Sequence, residues 1–267
     1  MDPSQLVEPV IGAAIEAGEQ ILAVYETSFE VSSKDDDSPL TQADMASHQT
    51  IVRRLGELTP GIPVLSEEGG LPDYTTRQEW DRYWLVDPLD GTREFVSRNG
   101  EFTVNIALVD SHRPVLGIVH VPVMHRSYVG CEGYGAELRA ADGERKPIRV
   151  AIESANPVRV VGSRSHRGTS LDAFLEKLGE YEMVPMGSSL KICLVAEGAA
   201  DIYPRLGPTS EWDTAAAQAV LEQAGGSVVR LDGSPLRYNE KADILNPHFM
   251  ALGPMDCDWL GIVSSVQ

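Results

Sequence analysis

The sequence predicts a layered α/β protein in which β-sheets are stacked between helices. Three observations carry this prediction. In the first half of the 267-residue chain, two amphipathic helical segments are followed by a series of short strand-like runs. In the second half, strands and helices alternate, and several of the expected helices end at a glycine. The hydrophobic content of 42% is ordinary for a globular protein and excludes wholesale disorder.

Two helices are predicted at the start of the chain. Apolar residues recur at helical spacing from Leu6 to Tyr25, which indicates an amphipathic helix. A polar stretch over residues 32–39 follows and is typical of a loop or a short hairpin. The second helix is expected to begin at Thr41 and to end before Pro60.

Short strands are predicted next, and in the second half they alternate with helices. The strand-like runs of the first half are residues 62–65, 83–86, 103–109, 115–121 and 127–129. Residues 134–146 are polar, contain glycine and are not assigned to a strand. The strands expected in the second half are residues 158–161, 183–185, 202–203, 228–231 and 249–252. The helices expected there are residues 170–178, 188–197, 212–224 and a short C-terminal segment. A boundary between two domains is expected near residues 145–157.

Charge and cysteine content restrict the possible partners and the compartment. With 22 Lys and Arg against 40 Asp and Glu, the net charge is -18, which argues against binding to a nucleic-acid polymer or an anionic membrane. A phosphate substrate would therefore need a local region of positive electrostatic potential. The three cysteines form no pair pattern, and we find no signal peptide and no apolar run long enough to span a membrane. A cytoplasmic protein is expected. The sequence leaves open whether it makes peripheral contact with the inner membrane, and it leaves the oligomeric state open.

The most informative segment is an apolar run that leads directly into two carboxylates. Pro88 is expected to end the strand after Asp87, and Gly91 permits a tight turn. This places the carboxylates of Asp87 and Asp90 and the carbonyl of Leu89 on one short reversal of the chain. Hard oxygen donors of this kind suit Mg²⁺. A simple acidic turn without a metal is the alternative.

The residues after this reversal favour phosphate chemistry. If a helix opens after Thr92, the N–H groups of Gly91 and Thr92 face a phosphate. Asp44 could orient or deprotonate a water molecule together with the Thr92 hydroxyl. The alternative for Thr41 and Asp44 is a helix capping box with no part in chemistry.

Two further acidic elements strengthen the metal hypothesis. Glu67 and Glu68 stand where a predicted strand exits into glycines, and Asp213 stands at the start of an Ala-rich helix. Each has an ordinary alternative, since a Glu pair is usually solvated and an Asp is favoured by the dipole at a helix start. Their occurrence together, without a competing His or Cys set, favours magnesium and disfavours zinc.

Three stretches are suited to binding an anion. Ser188, Ser189 and Lys191 lie in a small hydroxyl-rich turn that opens a helix, and Arg205 lies in a loop with two prolines. Residues 163–167 form a basic segment in an otherwise acidic chain. Surface loops with these compositions are common, so a purely structural role stays open for all three.

The acidic motifs occur in an order that resembles the inositol monophosphatase superfamily. These Mg²⁺-dependent, Li⁺-sensitive phosphomonoesterases carry a Glu pair, then a D-P-x-D-G-T string and then a Trp-Asp pair, as this chain does at residues 67–68, 87–92 and 212–213. The strings VDPLDGTREF, RNGEFTVNIALVD, GSSLKICLVAEG and PRLGPTSEWDTAAA are most similar to the bacterial 3'(2'),5'-bisphosphate nucleotidase branch. The resemblance implies an α+β layered sandwich with the layer order αβαβα. It covers nearly the whole chain, to about residue 250.

The resemblance also implies roles for individual residues. The implied metal ligands, for two or three Mg²⁺ ions, are Glu67, Asp87, the Leu89 carbonyl, Asp90 and Asp213. The implied catalytic residues are Asp44, Thr92 and Glu68, with Asp44 and Thr92 activating the attacking water. The implied substrate-binding residues are Glu67, Leu89, Asp90, Gly91, Thr92, Ser188, Ser189, Lys191, Arg205 and Asp213. One departure from the branch pattern is the run 36–38, which reads Asp-Asp-Ser where Asp-Asn-Ser is usual.

The implied reaction is hydrolysis of 3'-phosphoadenosine 5'-phosphate to AMP and phosphate, with the 5'-phosphosulfate analogue as a second substrate. Residues 1–150 would then form a domain carrying most metal ligands, and residues 151–267 a domain completing the site. Inositol monophosphate, a sugar bisphosphate, or metal binding without catalysis remain alternatives. A haloacid-dehalogenase-type phosphatase is disfavoured, because its D-x-D-G-T spacing is one residue tighter than the spacing here.

Overall fold

The structure is a computed structural model that describes residues 1–27, 39–162, 169–254 and 257–264. Within these ranges the chain forms two β-sheets that alternate with three helical layers. The predicted α/β class and the layer order αβαβα are confirmed. Residues 32–38 of the predicted polar loop, with the 36–38 run, and the basic segment 163–167 lie outside the described residues.

The first helical layer consists of α1 (Val7–Tyr25) and α2 (Pro39–Leu58), which pack against each other on one face of the first sheet. Apolar side chains of both helices form one core cluster with sheet residues such as Trp84 and Ile106. Helix α2 begins two residues before the predicted start at Thr41. A proline is tolerated in the first helical turn because its missing N–H would have no partner there.

The first sheet contains seven strands in chain order. The pair β1–β2 is parallel, and all other neighbouring pairs are antiparallel. The strands are β1 (Val64–Ser66), β2 (Arg82–Asp90), β3 (Thr103–Asp110), β4 (Arg113–Val121), β5 (Arg126–Cys131), β6 (Gly135–Arg139) and β7 (Arg145–Pro147). Strands β2, β3 and β4 are almost continuously buried, because helical layers cover both faces of the sheet.

Strands β6 and β7 were not predicted, because residues 134–146 read as a polar connection. Strand β7 forms the edge of the sheet and is exposed, whereas β6 lies between β5 and β7 and packs Ala136 and Leu138 against the core. An edge strand of Arg, Lys and Pro carries no apolar signal, and two apolar residues in β6 are too few to reveal a period of two.

The middle helical layer consists of α6 (Leu190–Ala196) and α7 (Ala215–Gln223), which contribute to the largest core cluster together with residues of both sheets. Helix α7 lies unusually close to the first sheet. Gly117 of β4 and Gly130 of β5 are direct cross-strand partners beneath it. A Cβ atom on Gly117 would lie 2.1 Å from the Ala216 carbonyl oxygen, and one on Gly130 would lie 2.4 Å from the Val220 Cα. Only glycine allows this approach.

The second sheet has five strands in the order β11-β12-β10-β8-β9. These are β8 (Val158–Gly162), β9 (Tyr181–Pro185), β10 (Ile202–Arg205), β11 (Ser227–Arg230) and β12 (Phe249–Leu252). The last layer consists of α5 (Thr169–Leu178) and α8 (Trp259–Ser264), which pack on the outer face of this sheet. Two short helices, α3 (Tyr74–Arg77) and α4 (Thr92–Val96), flank β2. No helix in the described ranges combines the length and apolarity needed to cross a bilayer.

Candidate active site

Strand β2 carries the D-P-x-D motif, and it does not end where the sequence suggested. The sequence predicts an end at Pro88, but β2 continues to Asp90. Its register with β3 shifts between Asp87, which pairs with Asn105, and Asp90, which pairs with Thr103. The shift gives β2 one additional residue, a β-bulge. The bulge explains why a proline is tolerated, since an irregular position needs no ladder N–H donor.

The bulge holds the first predicted ligands in fixed positions. Asp87 is 2% exposed, and its Oδ1 accepts a hydrogen bond from the Leu89 N–H at 3.0 Å. Gly91 follows with a φ of +95°, and the chain turns there from β2 into α4, whose first residue is Thr92. Helix α2, which carries Asp44, packs against α4.

One face of α2 supports both acidic strand ends. Asp44, Ser47 and His48 are three and four positions apart, so they share a face of this helix. The Ser47 hydroxyl donates to the Pro88 carbonyl at 2.8 Å, and His48 Nδ1 lies 2.8 Å from Ser66 Oγ. Asp44 was predicted as a site residue, whereas Ser47 and His48 were not, because a single Ser or His within a helix belongs to no recognisable motif.

Glu67 and Glu68 lie in a 3₁₀ turn directly after β1. The charge of Glu67 contributes to raising the pKa of Asp87 and of Asp213, so we place Glu67 with these two residues in one acidic cluster. Glu68 acts on a different neighbour. Burial lowers the pKa of His48, and the charge of Glu68 opposes that shift.

Asp213 lies at the end of a 3₁₀ turn, Glu211–Asp213, and not inside the helix predicted over residues 212–224. Helix α7 begins later, at Ala215. The Asp213 carboxylate accepts a hydrogen bond from the Ser210 N–H at 2.9 Å, and the two residues form a capping box. This cap fixes the turn in which Asp213 is presented to the cluster.

A buried arginine supports the turn Glu211–Asp213 through Asn239. The Asn239 N–H donates to Glu211 Oε2 at 2.9 Å, and Arg77 donates to the Asn239 side-chain oxygen and to the carbonyls of Lys241 and Ala242. Arg77 is fully buried. Sequence analysis could not find this group, because its members lie far apart in the chain and form no motif.

Four of the predicted site residues carry charges that affect the pKa of a fifth, Asp87. Burial raises the pKa of Asp87 well above its usual value, and the charges of Asp90, Glu67, Asp213 and Asp44 raise it further. Burial, followed by the charge of Asp90, raises the pKa of Asp213 to about 7. A divalent cation would relieve this mutual repulsion.

Asp90 also links the strand end to the turn before α6. Its Oδ2 accepts a hydrogen bond from the Ser189 N–H and longer ones, at 3.4 Å, from the side chains of Thr103 and Asn105. The Ser189 hydroxyl donates to Asn105 Oδ1 at 2.8 Å. Burial raises the pKa of Asp90, whereas the charge of Lys191 and these hydrogen bonds lower it.

A turn precedes α6 as predicted, although the helix begins two residues later than the sequence suggested. Ser188 has a φ of +45°, which is incompatible with a right-handed helix, and α6 starts at Leu190. Ser188, Ser189 and Lys191 line a cavity of about 540 Å³ that opens beside Asp90 and Asp213. This volume is within the usual range for a small-molecule site.

The cavity has cationic side chains on its walls. Arg93, Lys191 and Arg205 line it together with apolar residues such as Tyr203. The Lys191 Nζ lies 5.7 Å from the centroid of the Tyr203 ring, and the Arg205 guanidinium donates to the Pro208 carbonyl. These contacts restrain both cations in the wall of the cavity, which Asp90 and Asp213 also line.

The donor set fits a hard divalent cation. Carboxylate and carbonyl oxygens are the ligands that Mg²⁺ prefers, and it keeps several coordination positions for water and substrate oxygens. In the described ranges no group of three or more His, Cys, Asp or Glu side chains is placed so that it could hold a metal ion. The Leu89 carbonyl, water and phosphate oxygens would therefore have to supply part of the coordination shell of a bound Mg²⁺.

Comparison with protein families identifies one family. The model of the inositol monophosphatase family matches residues 2–253, which is most of the chain. The chain belongs to the inositol monophosphatase family. Proteins of this family are phosphatases that typically use a divalent metal ion.

Within the family, the similar proteins carry a more specific name. The Escherichia coli K12 protein named 3'(2'),5'-bisphosphate nucleotidase CysQ is 50% identical over 246 residues, which cover 91% of this chain and 98% of that protein. The protein of the same name from Aggregatibacter actinomycetemcomitans is 39% identical over 258 residues and is covered to 96%.

Solved structures show the same relationship. The crystal structure of CysQ from Bacteroides thetaiotaomicron has a TM-score of 0.86 and 44% identity, and it covers 94% of this chain and 98% of its own. An inositol monophosphatase from Zymomonas mobilis has a TM-score of 0.80 at 21% identity, covers 100% of this chain and 99% of its own, and supports the fold alone.

Proposed function

We propose that the chain is a Mg²⁺-dependent phosphomonoesterase that hydrolyses 3'-phosphoadenosine 5'-phosphate to AMP and phosphate. The proposal extends to the 5'-phosphosulfate analogue, which would give adenosine 5'-phosphosulfate. One observation carries it: Asp90 and Asp213, whose charges act on Asp87, line a cavity of about 540 Å³ that also has cationic side chains on its walls. The similar proteins named as bisphosphate nucleotidases support the choice of substrate, because the likeness extends over nearly their whole length.

The proposed metal ligands for two or three Mg²⁺ ions are Glu67, Asp87, the Leu89 carbonyl, Asp90 and Asp213. When bound, such ions polarise the phosphoryl group, lower the pKa of a bound water and neutralise the leaving oxygen. Asp44 and the Thr92 hydroxyl are proposed to orient the attacking water and to take its proton. We group Glu68 with them in a positioning role, because its charge acts on His48, which contacts the residue before Glu67.

The substrate must bind an acidic protein, and local charge makes this possible. The proposed groups that contact the substrate are the backbone N–H groups of Gly91 and Thr92 and the side chains of Ser188, Ser189, Lys191 and Arg205. Glu67, Leu89, Asp90 and Asp213 would reach it through the metal. With a net charge of -18 for the whole chain, the metals and the cationic walls are needed to attract a bisphosphate.

A substrate comparison tests the proposal. Phosphate release is measured with equal concentrations of 3'-phosphoadenosine 5'-phosphate, inositol 1-phosphate and fructose 1,6-bisphosphate, with and without Mg²⁺. We expect the highest kcat/KM with the nucleotide and loss of activity in EDTA. A preference for either non-nucleotide substrate, or activity without a metal, would contradict the proposal.

The substitution Asp90→Asn tests the metal assignment. It keeps the size of the side chain and removes one charge, so we expect turnover to fall below detection while the thermal unfolding midpoint changes little or rises. The rise would follow from the relief of repulsion with Asp87 and Asp213. A folded variant with near wild-type phosphatase activity would show that Asp90 is not a ligand.

Two broader proposals accompany the reaction. We propose a cytoplasmic location, supported by the three free cysteines. Cell fractionation would check it and would also detect peripheral association with the inner membrane. We also propose that residues 1–150 and 151–267 act as two domains, since the first sheet ends at Pro147 and the second begins at Val158.

A further inference from the structure

One carboxylate in the cavity wall has no part in the proposed metal site. Glu94 lies in α4 and lines the cavity, where the other acidic lining residues are Asp90 and Asp213. Its side chain lies against Gly187 in the turn before α6. A Cβ atom on Gly187 would lie 2.5 Å from Glu94 Cγ and 2.9 Å from Glu94 Oε1. The glycine therefore leaves the space that the Glu94 carboxylate occupies.

The surroundings of Glu94 show what kind of ligand group it could bind. The side chain is half-buried, and among the described residues no hydrogen bond or ion pair to its carboxylate oxygens is found. A carboxylate at this position repels a phosphate, so it cannot serve the charged parts of a bisphosphate. A carboxylate can accept hydrogen bonds only, and a neutral N–H or O–H donor is therefore the group that suits it.

We propose that Glu94 is a specificity-determining residue that accepts a hydrogen bond from a neutral donor of the nucleoside. This inference rests on the proposed function. The nucleoside of the proposed substrate offers two donors of this chemistry, the ribose 2'-hydroxyl and the adenine 6-amino group. A site that presents an acceptor to such a donor rejects analogues that lack it, because the acceptor then stays unpaired.

A binding cycle tests the proposal. Affinity is measured by isothermal titration calorimetry, with Ca²⁺ replacing Mg²⁺ to slow hydrolysis. The ligands are adenosine 3',5'-bisphosphate, its 2'-deoxy analogue, and inosine 3',5'-bisphosphate, which carries a carbonyl in place of the 6-amino group. Each ligand is titrated into the wild type and Glu94→Ala. We expect the wild type to bind one analogue about 10- to 100-fold more weakly than the adenosine ligand, as is typical for loss of a hydrogen bond to a charged group.

The variant identifies the partner of that donor. Glu94→Ala should bind the adenosine ligand about 10- to 100-fold more weakly and should show no additional loss for the sensitive analogue, because the acceptor is already gone. A larger discrimination against 2'-deoxy or against inosine in the wild type identifies the ribose or the base as the source of the donor. Full discrimination by Glu94→Ala against the sensitive analogue, or no discrimination by the wild type, would overturn the proposal.

Two further variants separate this effect from general ones. Gly187→Ala should reproduce the loss, because the added methyl group displaces the Glu94 carboxylate. Glu19→Ala, which removes an exposed carboxylate of α1 that does not line the cavity, should bind as the wild type does. Turnover is measured in parallel with Mg²⁺. Coupling between Glu94 and an analogue without any turnover would contradict the proposed reaction and leave the assignment of Glu94 intact.

Discussion

The Ser47 hydroxyl shows how one small group can control the proposed metal site. It donates to the Pro88 carbonyl at 2.8 Å, inside the bulge that separates Asp87 from Asp90. Ser47 is fully buried, so water cannot easily replace the bond. The position of the bulge, and with it the spacing of the two carboxylates, therefore depends on α2 as well as on strand pairing.

We expect Ser47→Ala to weaken metal binding more than it weakens the chemical step. Loss of the donor leaves a buried carbonyl unsatisfied, which costs about 1–3 kcal/mol of stability and loosens the bulge. The Mg²⁺ concentration for half-maximal activity should rise about 3- to 10-fold, a shift of roughly 1 kcal/mol, with a smaller fall in kcat at saturating Mg²⁺. The measurement is phosphate release as a function of Mg²⁺ concentration.

Thr50→Ala is the matched control for this prediction. The Thr50 hydroxyl lies on the same helix and donates to the Ala46 carbonyl at 2.9 Å, which is a bond within α2. This variant should show the wild-type dependence on Mg²⁺. Coincident Mg²⁺ titrations for Ser47→Ala and the wild type would mean that α2 does not position the bulge.

At the scale of elements, the sequence predicted the helices and strands whose apolar residues follow a local period or form a continuous run. The amphipathic patterns of α1 and α2 and the apolar runs of β3 and β4 all correspond to observed elements. Strand β2 was predicted too short, because a proline usually ends a ladder and the bulge that accommodates it depends on pairing with β3. Strand β7 was missed because an exposed edge strand needs no apolar face, and β6 was missed because its apolar face consists of only Ala136 and Leu138.

The candidate site could be predicted where its residues belong to sequence motifs. Asp87, Asp90 and Asp213 stand in such motifs and were named as candidate metal ligands without any knowledge of the fold. The groups that hold them were not. Arg77 and His48 act through contacts with residues distant in the sequence, and such contacts exist only after the layers have assembled.

The close contact between α7 and the first sheet connects element packing to the site. Helix α7 follows directly after the turn that carries Asp213, and it lies on the glycine pair formed by Gly117 and Gly130. The distance between α7 and the first sheet therefore helps to determine the position of Asp213. A side chain at either glycine would lift the helix.

We expect Gly117→Ala to destabilise the protein by about 3 kcal/mol or more, because the added methyl group would meet helix backbone that cannot move aside. The reason is the 2.1 Å approach to the Ala216 carbonyl oxygen. Urea unfolding measures the change. Gly56→Ala is the control, since Gly56 is exposed in α2 and a Cβ atom there has no neighbour within 4 Å. It should stabilise by about 0.5–1 kcal/mol, and equal effects of the two substitutions would contradict the packing argument.

At the scale of the whole molecule, stability depends on groups buried between layers, and His120 is one of them. It belongs to β4, is 4% exposed and lies against α1, where a Cβ atom on Gly18 would come within 2.7 Å of its ring. Its Nδ1 lies 2.9 Å from Ser127 Oγ. Burial, with a smaller contribution from the charge of His125, lowers the pKa of His120 to about 4.

This lowered pKa makes the stability of the molecule sensitive to acid in a defined range. Between pH 6.5 and 4 the unfolded chain binds a proton at His120 and the folded protein does not, so protonation favours unfolding. The contribution is fully present above pH 6.5 and is lost as the pH falls to about 4. At 1.36 kcal/mol for each pKa unit, it amounts to about 3 kcal/mol.

Many carboxylates titrate in the same range, so the effect of His120 must be measured as a difference. His120→Gln keeps a polar side chain of similar size and does not titrate, while all other groups are common to both proteins. The free energy of unfolding is determined by urea denaturation at intervals from pH 7.5 to 4. We expect the advantage of the wild type over His120→Gln to shrink by about 3 kcal/mol across this range. Parallel pH profiles would show that His120 takes up its proton equally in the folded and unfolded states, and would mean that the contact between α1 and the sheet does not exclude water from it.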